Sequence, residues 1–129
     1  MASALLFDTD VLVDYLRGRS EAVKFLESAP GPLLMPAIVM AELYAGVREG
    51  TERSALDDFI LAFEIVPIDA QIARQGGLFR RDYGKSHHTG LADSLIAATA
   101  TVRNARLVTL NTKHYPMLRD VKAPYRKNA

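Results

Sequence analysis

The chain has 129 residues, 49% of them hydrophobic, which is about the modal size of a single domain and enough apolar material for one continuous core. It contains no cysteine, which excludes disulfide staples, thiolate zinc sites and cysteine nucleophiles and fits a reducing, cytoplasmic setting. Net charge is only +1, yet residues 1–70 hold 12 Asp/Glu against 5 Lys/Arg while residues 71–129 hold 3 against 11, an asymmetry that suits a polyanionic partner as well as it suits a solvated α/β surface. The start Met1-Ala2-Ser3-Ala4 lacks a basic region and no stretch reaches the roughly 18 apolar residues of a membrane span, so neither a leader nor a membrane anchor is expected. We expect one domain over residues 1–129, with residues 124–129 as a flexible tail.

Short apolar runs alternate with longer segments of helical period, the pattern of βαβ units and of a central parallel sheet in an α/β fold. Residues 4–8 read as the first strand, followed by a helix from Val11 to Arg17 that stops at Gly18. Residues 20–28 read as a second helix and Leu33-Leu34-Met35 as a buried strand. Pro36 fits the first turn of a helix that reaches Ala45. Ser54 is placed to cap a helix with Leu56, Phe59, Ile60 and Phe63 on one face. Ile65-Val66-Pro67-Ile68 reads as a strand that its proline confines to a sheet edge. Asp69 then caps a helix whose Gly76-Gly77 pair predicts a kink or a close approach. The polar stretch Tyr83–Gly90 reads as a loop, residues 91–103 as an alanine-rich helix and Leu107–Leu110 as a further strand.

Three carboxylates sit in apolar surroundings. Asp8 ends the run Leu5-Leu6-Phe7, Glu42 interrupts Ile38–Leu43, and Asp93 opens the helix Leu91–Ala98. A buried carboxylate without a positive partner costs several kcal/mol. No lysine or arginine stands beside these acids in the sequence, so the economical expectation is that they converge on a hard divalent cation. Asp8 falls at the carboxyl end of a strand, where open α/β sheets bind ligands. Glu42 lies in a helix that is apolar nearly all round, which predicts an inward position. Asp93 could equally be a first-turn residue that complements the helix dipole, and it is its grouping with the other two that points to a site. Asp10 reads as the cap of the first helix, with a further role beside the site, and Asp14 as a solvated helix position. His87, His88 and His114 lack the spacing of a zinc site and read as loop residues or phosphate contacts. Serine-hydrolase, P-loop and dinucleotide-binding motifs are absent.

With these residues in place, the chain resembles the PIN-domain ribonucleases, and within them the VapC toxins of toxin–antitoxin pairs. The resemblance runs through Leu6–Gly18, Ala41–Gly46, Leu91–Ala100 and Leu107–Tyr115, four pieces in order over nearly the whole length. It implies a three-layer α/β/α fold, Mg²⁺ or Mn²⁺ held by acidic side chains, hydrolysis of RNA phosphodiester bonds, a homodimer and a small VapB-like antitoxin as partner. Asp8, Glu42 and Asp93 match the family's metal-site acids, which makes them the expected catalytic and metal-binding residues. Thr109 is expected to donate a hydrogen bond to a ligand or phosphate. Many relatives carry a further acid where this chain reads Asn111-Thr112-Lys113-His114, so Asn111 is expected to offer a neutral oxygen or hold a water. Two other readings compete. Asp8-Thr9-Asp10 also looks like the strand-end motif of aspartyl-phosphate phosphohydrolases, with Asp8 as nucleophile, though Val11-Leu12 follow where that pattern has glycine and threonine. The other is a non-catalytic domain that holds nucleic acid or a protein partner.

Overall fold

The computed structural model describes residues 3–126. Five strands are joined by six helices in the order β1 (Leu5–Phe7), α1 (Thr9–Leu16), α2 (Ser20–Glu27), β2 (Leu33–Pro36), α3 (Ala37–Ala45), α4 (Thr51–Ile60), β3 (Glu64–Val66), α5 (Ala70–His87), α6 (Leu91–Arg103), β4 (Arg106–Val108) and β5 (Val121–Lys122). A 3₁₀ turn at Thr112–His114 links the last two strands. The sheet order is β3-β2-β1-β4-β5, and every pairing is parallel. This is the three-layer α/β/α architecture that the alternation of elements predicts.

Burial explains why β1 sits in the middle. Successive strand residues point to opposite faces, and Leu6 and Phe7 are both 0% exposed, so both faces of the sheet are covered. The Phe7 ring meets Phe25 and Phe63 edge-on, with centroids 6.3 and 5.8 Å away, tying α2 and the turn between α4 and β3 to the central strand. Pro67 ends the run after β3, an edge strand, as a residue without an N–H requires.

Most helix boundaries follow from local chemistry. Asp69 Oδ1 accepts from the Ile72 N–H at 2.9 Å and caps α5. Helix α6 spans the predicted residues, and the hydroxyls of Ser94, Thr99 and Thr101 donate to carbonyls one turn back, so its buried polar groups are satisfied within the helix. Two expectations fail. Ser54 lies inside α4, whose N-cap is Gly50 at φ 97°, and helix α5 runs on through the predicted loop to His87, with His88 closing it in the left-handed region. The predicted loop is helical as far as His87, and α5 packs on α6 with the close approach that the glycine pair predicts. A Cβ built on Gly76 would fall 2.7 Å from Leu95 Cδ2 and 3.3 Å from Leu95 Cα, so that glycine serves close packing.

The carboxyl-terminal segment packs back over the molecule. The Tyr125 hydroxyl donates to Asp14 Oδ2 at 2.8 Å, and Arg19 donates to the Arg126 carbonyl. Asp14 is therefore 3% exposed and not the solvated position its spacing suggested. Of the tail expected from residue 124, residues 127–129 lie outside the described residues. Among the described residues no helix is long and apolar enough to cross a membrane.

Candidate active site

The sheet order reverses between β1 and β4, and in parallel α/β sheets the crevice at such a reversal, beyond the carboxyl ends of the strands, is where ligands bind. Asp8 follows β1 directly and Thr109 follows β4. Asp8 is the N-cap of α1. Its Oδ1 accepts the Thr9 N–H at 2.7 Å, and its Oδ2 accepts the hydroxyls of Thr109 at 2.8 Å and Tyr115 at 2.9 Å. Burial holds the Asp8 carboxyl above the usual carboxylate range. The three donors pull the other way, and the charge of Asp93 adds to the rise.

The same Tyr115 hydroxyl lies 3.2 Å from Asp93 Oδ1, and His114 Nδ1 lies 3.1 Å from Asp93 Oδ2. Both oxygens of this carboxylate in the first turn of α6 are thus bonded by consecutive residues, the last of the 3₁₀ turn and the one after it. The Tyr115 phenol is 2% exposed, and burial together with the Asp8 and Asp93 carboxylates keeps it protonated far above its ordinary range. It is a fixed donor.

Asp10 departs from its predicted place as the helix cap. It sits in the first turn of α1, where Oδ1 accepts from the Val11 N–H at 2.7 Å and Oδ2 from the Leu110 N–H at 2.9 Å, so it laces α1 to the exit of β4. Burial first, and the Asp8 charge second, push its carboxyl up to about 6. Thr109, expected to face a ligand, turns inward. Its hydroxyl proton goes to Asp8, and its oxygen accepts from the Asn111 N–H at 3.1 Å. The side chain of Asn111 is exposed and makes no hydrogen bond to these acids.

Glu42 corrects the sequence reading most. It is exposed, and its single hydrogen bond comes from the Thr9 hydroxyl at 2.6 Å. Thr9 therefore joins the two acids indirectly, giving its N–H to Asp8 and its O–H to Glu42. The apolar residues around Glu42 serve the other faces of α3, which packs on α1, α4 and α6 at once. Glu42 faces an open groove of about 450 Å³ between α1, α3 and α4, whose walls include Val13, Leu43, Val47, Leu56, Arg17 and Arg48.

The three predicted acids thus do not close into one cage. Asp8 and Asp93 share a donor and Glu42 stands one residue further out, so among the described residues no three carboxylate or imidazole groups lie close enough to enclose an ion. The donor set still suits a hard cation. Among the described residues no lysine or arginine forms an ion pair with Asp8, Asp10, Glu42 or Asp93, and of these four carboxylates Asp93 alone has an imidazole beside it. Mg²⁺ is commonly held by one or two carboxylates and completed by waters and substrate phosphate, and the Asp8/Asp93 pair fits that pattern. Sequence reasoning missed Thr9, His114 and Tyr115 as neighbours of the acids, and no local pattern marks them.

A sheet with paired acids at its switch point defines a class of acid-centred α/β proteins, and the comparisons narrow it. The PIN domain family model matches residues 5–119. Ribonuclease VapC10 of Mycobacterium tuberculosis is 41% identical over 124 residues, covering 94% of this chain and 92% of its own. Ribonuclease VapC19 of the same organism is 41% identical over 125 residues, covering 93% and 98%. A toxin–antitoxin complex from Klebsiella pneumoniae contains a chain of the same fold with TM-score 0.83 and 30% identity, over 95% of this chain and 98% of that one. The chain belongs to the PIN-domain family and, within it, to the VapC ribonucleases.

Proposed function

We propose that this chain is a Mg²⁺- or Mn²⁺-dependent endoribonuclease that acts as the toxin of a type II toxin–antitoxin pair. The observation that carries the reading is the pairing of Asp8 with Asp93 at the switch point, two carboxylates bridged by one hydroxyl and, among the described residues, met by no lysine or arginine. In this reading residues 1–129 form one nuclease domain that works in the cytoplasm. A bound divalent cation supplies positive charge at the scissile phosphate and lowers the pKa of the attacking water. Asp8 and Asp93 are the residues that would hold the ion. Asp8 accepts from three donors, and hydrogen bonds on both of its oxygens disfavour its use as a nucleophile. Glu42, exposed and held by one hydrogen bond, is the carboxylate with freedom to orient the water or take its proton. Asp10 and Thr109 hold α1 against the end of β4 and so keep Asp8 in place.

The partners follow the same reading. A small VapB-like antitoxin is the expected protein partner, supported by the likeness to a chain that was solved in a toxin–antitoxin complex. The groove beside Glu42, with apolar walls and the Arg17 and Arg48 side chains, is the surface we assign to it, because an occupant there lies over that carboxylate. A homodimer is the expected assembly, to be checked by light scattering at micromolar concentration.

The deciding experiment is incubation of total cellular RNA with the purified chain in Mg²⁺, Mn²⁺ or EDTA, with Asp8→Asn in parallel. Cleavage that requires the metal and is lost in the variant is the expected result. Full activity in EDTA refutes the metal mechanism.

A further inference from the structure

Asp8 hangs from the end of β1 and Asp93 from the first turn of α6, and among the described residues Tyr115 is the side chain that bonds to both. Two like charges in a poorly hydrated crevice repel, and each would swing away from the other in the absence of something positive between them. The positive end of the Tyr115 O–H dipole takes that place. The phenol has one proton to give, and at 2.9 and 3.2 Å both carboxylates lie within its reach, Asp8 the nearer. Its aim is fixed from behind, since the ring is buried and follows directly on a 3₁₀ turn that Thr89 pins by donating to the His114 carbonyl at 3.0 Å. His114 holds the other Asp93 oxygen from a half-exposed position and so limits rotation of that carboxylate.

We propose that Tyr115 is a positioning residue of the site, whose hydroxyl sets the spacing and orientation of Asp8 and Asp93 for a divalent cation. The inference rests on the reading that these two acids are the ion's protein ligands. Carboxylate ligands are themselves commonly hydrogen-bonded, and removing such a support weakens metal binding by about 10- to 100-fold. A hydroxyl that merely fills the place of the ion has the opposite signature, because its removal frees the carboxylates and tightens binding.

The test measures Mn²⁺ affinity directly on the full chain, by titration calorimetry and by the electron-spin signal of free Mn²⁺, and needs no turnover. Tyr115→Phe keeps the buried ring and removes only the hydroxyl. We expect its Mn²⁺ affinity to fall at least about ten-fold, with its metal-free circular dichroism unchanged. His114→Ala, which releases the Asp93 oxygen facing away from Asp8, should weaken binding less. Unchanged or tighter binding by Tyr115→Phe overturns the inference. Asp8→Asn and Asp93→Asn run beside it separate the two levels of the argument. If both bind Mn²⁺ like the parent, the assignment of the ligands is wrong and the inference falls with it. If both lose binding while Tyr115→Phe keeps it, the ligands stand and only the role of Tyr115 is refuted.

Discussion

Raising the pH should destabilise the metal-free protein, and Asp10 sets the size of the effect. Its carboxyl titrates at about 6 in the fold against an ordinary 3.8, so the folded state holds that proton more tightly than the unfolded chain does. The stabilisation is fully present below about pH 4 and is lost as the pH rises through about 6. At about 1.4 kcal/mol per pKa unit the rise is worth on the order of 3 kcal/mol. Asp8, raised by the same burial, acts in the same direction. For a domain of this length the melting temperature should fall by roughly 10 °C between about pH 4.5 and pH 7.5. The assay is a set of thermal melts in EDTA, followed by circular dichroism, on the parent and on Asp10→Asn. Asparagine cannot ionise and has one carbonyl oxygen to serve both Val11 and Leu110, so the variant should be less stable outright. Its melting temperature should nevertheless drop less over the same range, and the difference between the two curves reports Asp10 together with its coupling to Asp8. A parent curve that is flat, or that rises relative to the variant, would refute the assignment of a raised carboxyl to this position.

Asp93→Asn removes one of two neighbouring charges at nearly constant shape, so its metal-free form should melt at or above the parent temperature. It should lose the rise that Mn²⁺ gives the parent, which is about 2.7 kcal/mol at a hundred times the dissociation constant, and it should not cut RNA. A variant that melts lower and responds normally to Mn²⁺ leaves Asp93 as a helix-dipole residue only. The same substitution one residue apart should have opposite signs on α5. Gly76→Ala drives a methyl into Leu95 and should cost about 1–3 kcal/mol, more than the helix gains, whereas Gly77→Ala meets nothing within 4 Å and should gain up to about 1 kcal/mol in urea unfolding. Tyr125→Phe withdraws a 2.8 Å donor from the buried Asp14 carboxylate and should cost about 1.5–3 kcal/mol. An unchanged urea midpoint counts against the carboxyl-terminal segment as a structural strap.

Much that depends on residues close in the chain was legible in the sequence, although the caps of α1 and α4 fell on Asp8 and Gly50 and not on Asp10 and Ser54. The span of α6, the Asp69 cap, the edge position of the strand that Pro67 ends and the parallel order implied by alternating elements all rest on period, capping and backbone chemistry, which act within a turn or a strand. The positions of Asp8 and Asp93 near element ends could be read in the same way, and the family resemblance connected them. What the sequence left open depends on which elements become neighbours. Tyr115 reaches Asp8 across 107 residues and Tyr125 reaches Asp14 across 111, contacts that exist only because β4 pairs with β1 and the final segment returns over α1. Glu42 reads as buried from its apolar neighbours, yet α3 spends those neighbours on three helices and leaves the carboxylate facing a groove. The helical continuation through Tyr83–His87 was equally hidden, because those residues are polar by composition and carry no apolar period to mark a helix. Local propensity fixes each element, whereas the site is a property of their packing, since a carboxylate's environment is set by whatever the fold brings within about 3 Å of it.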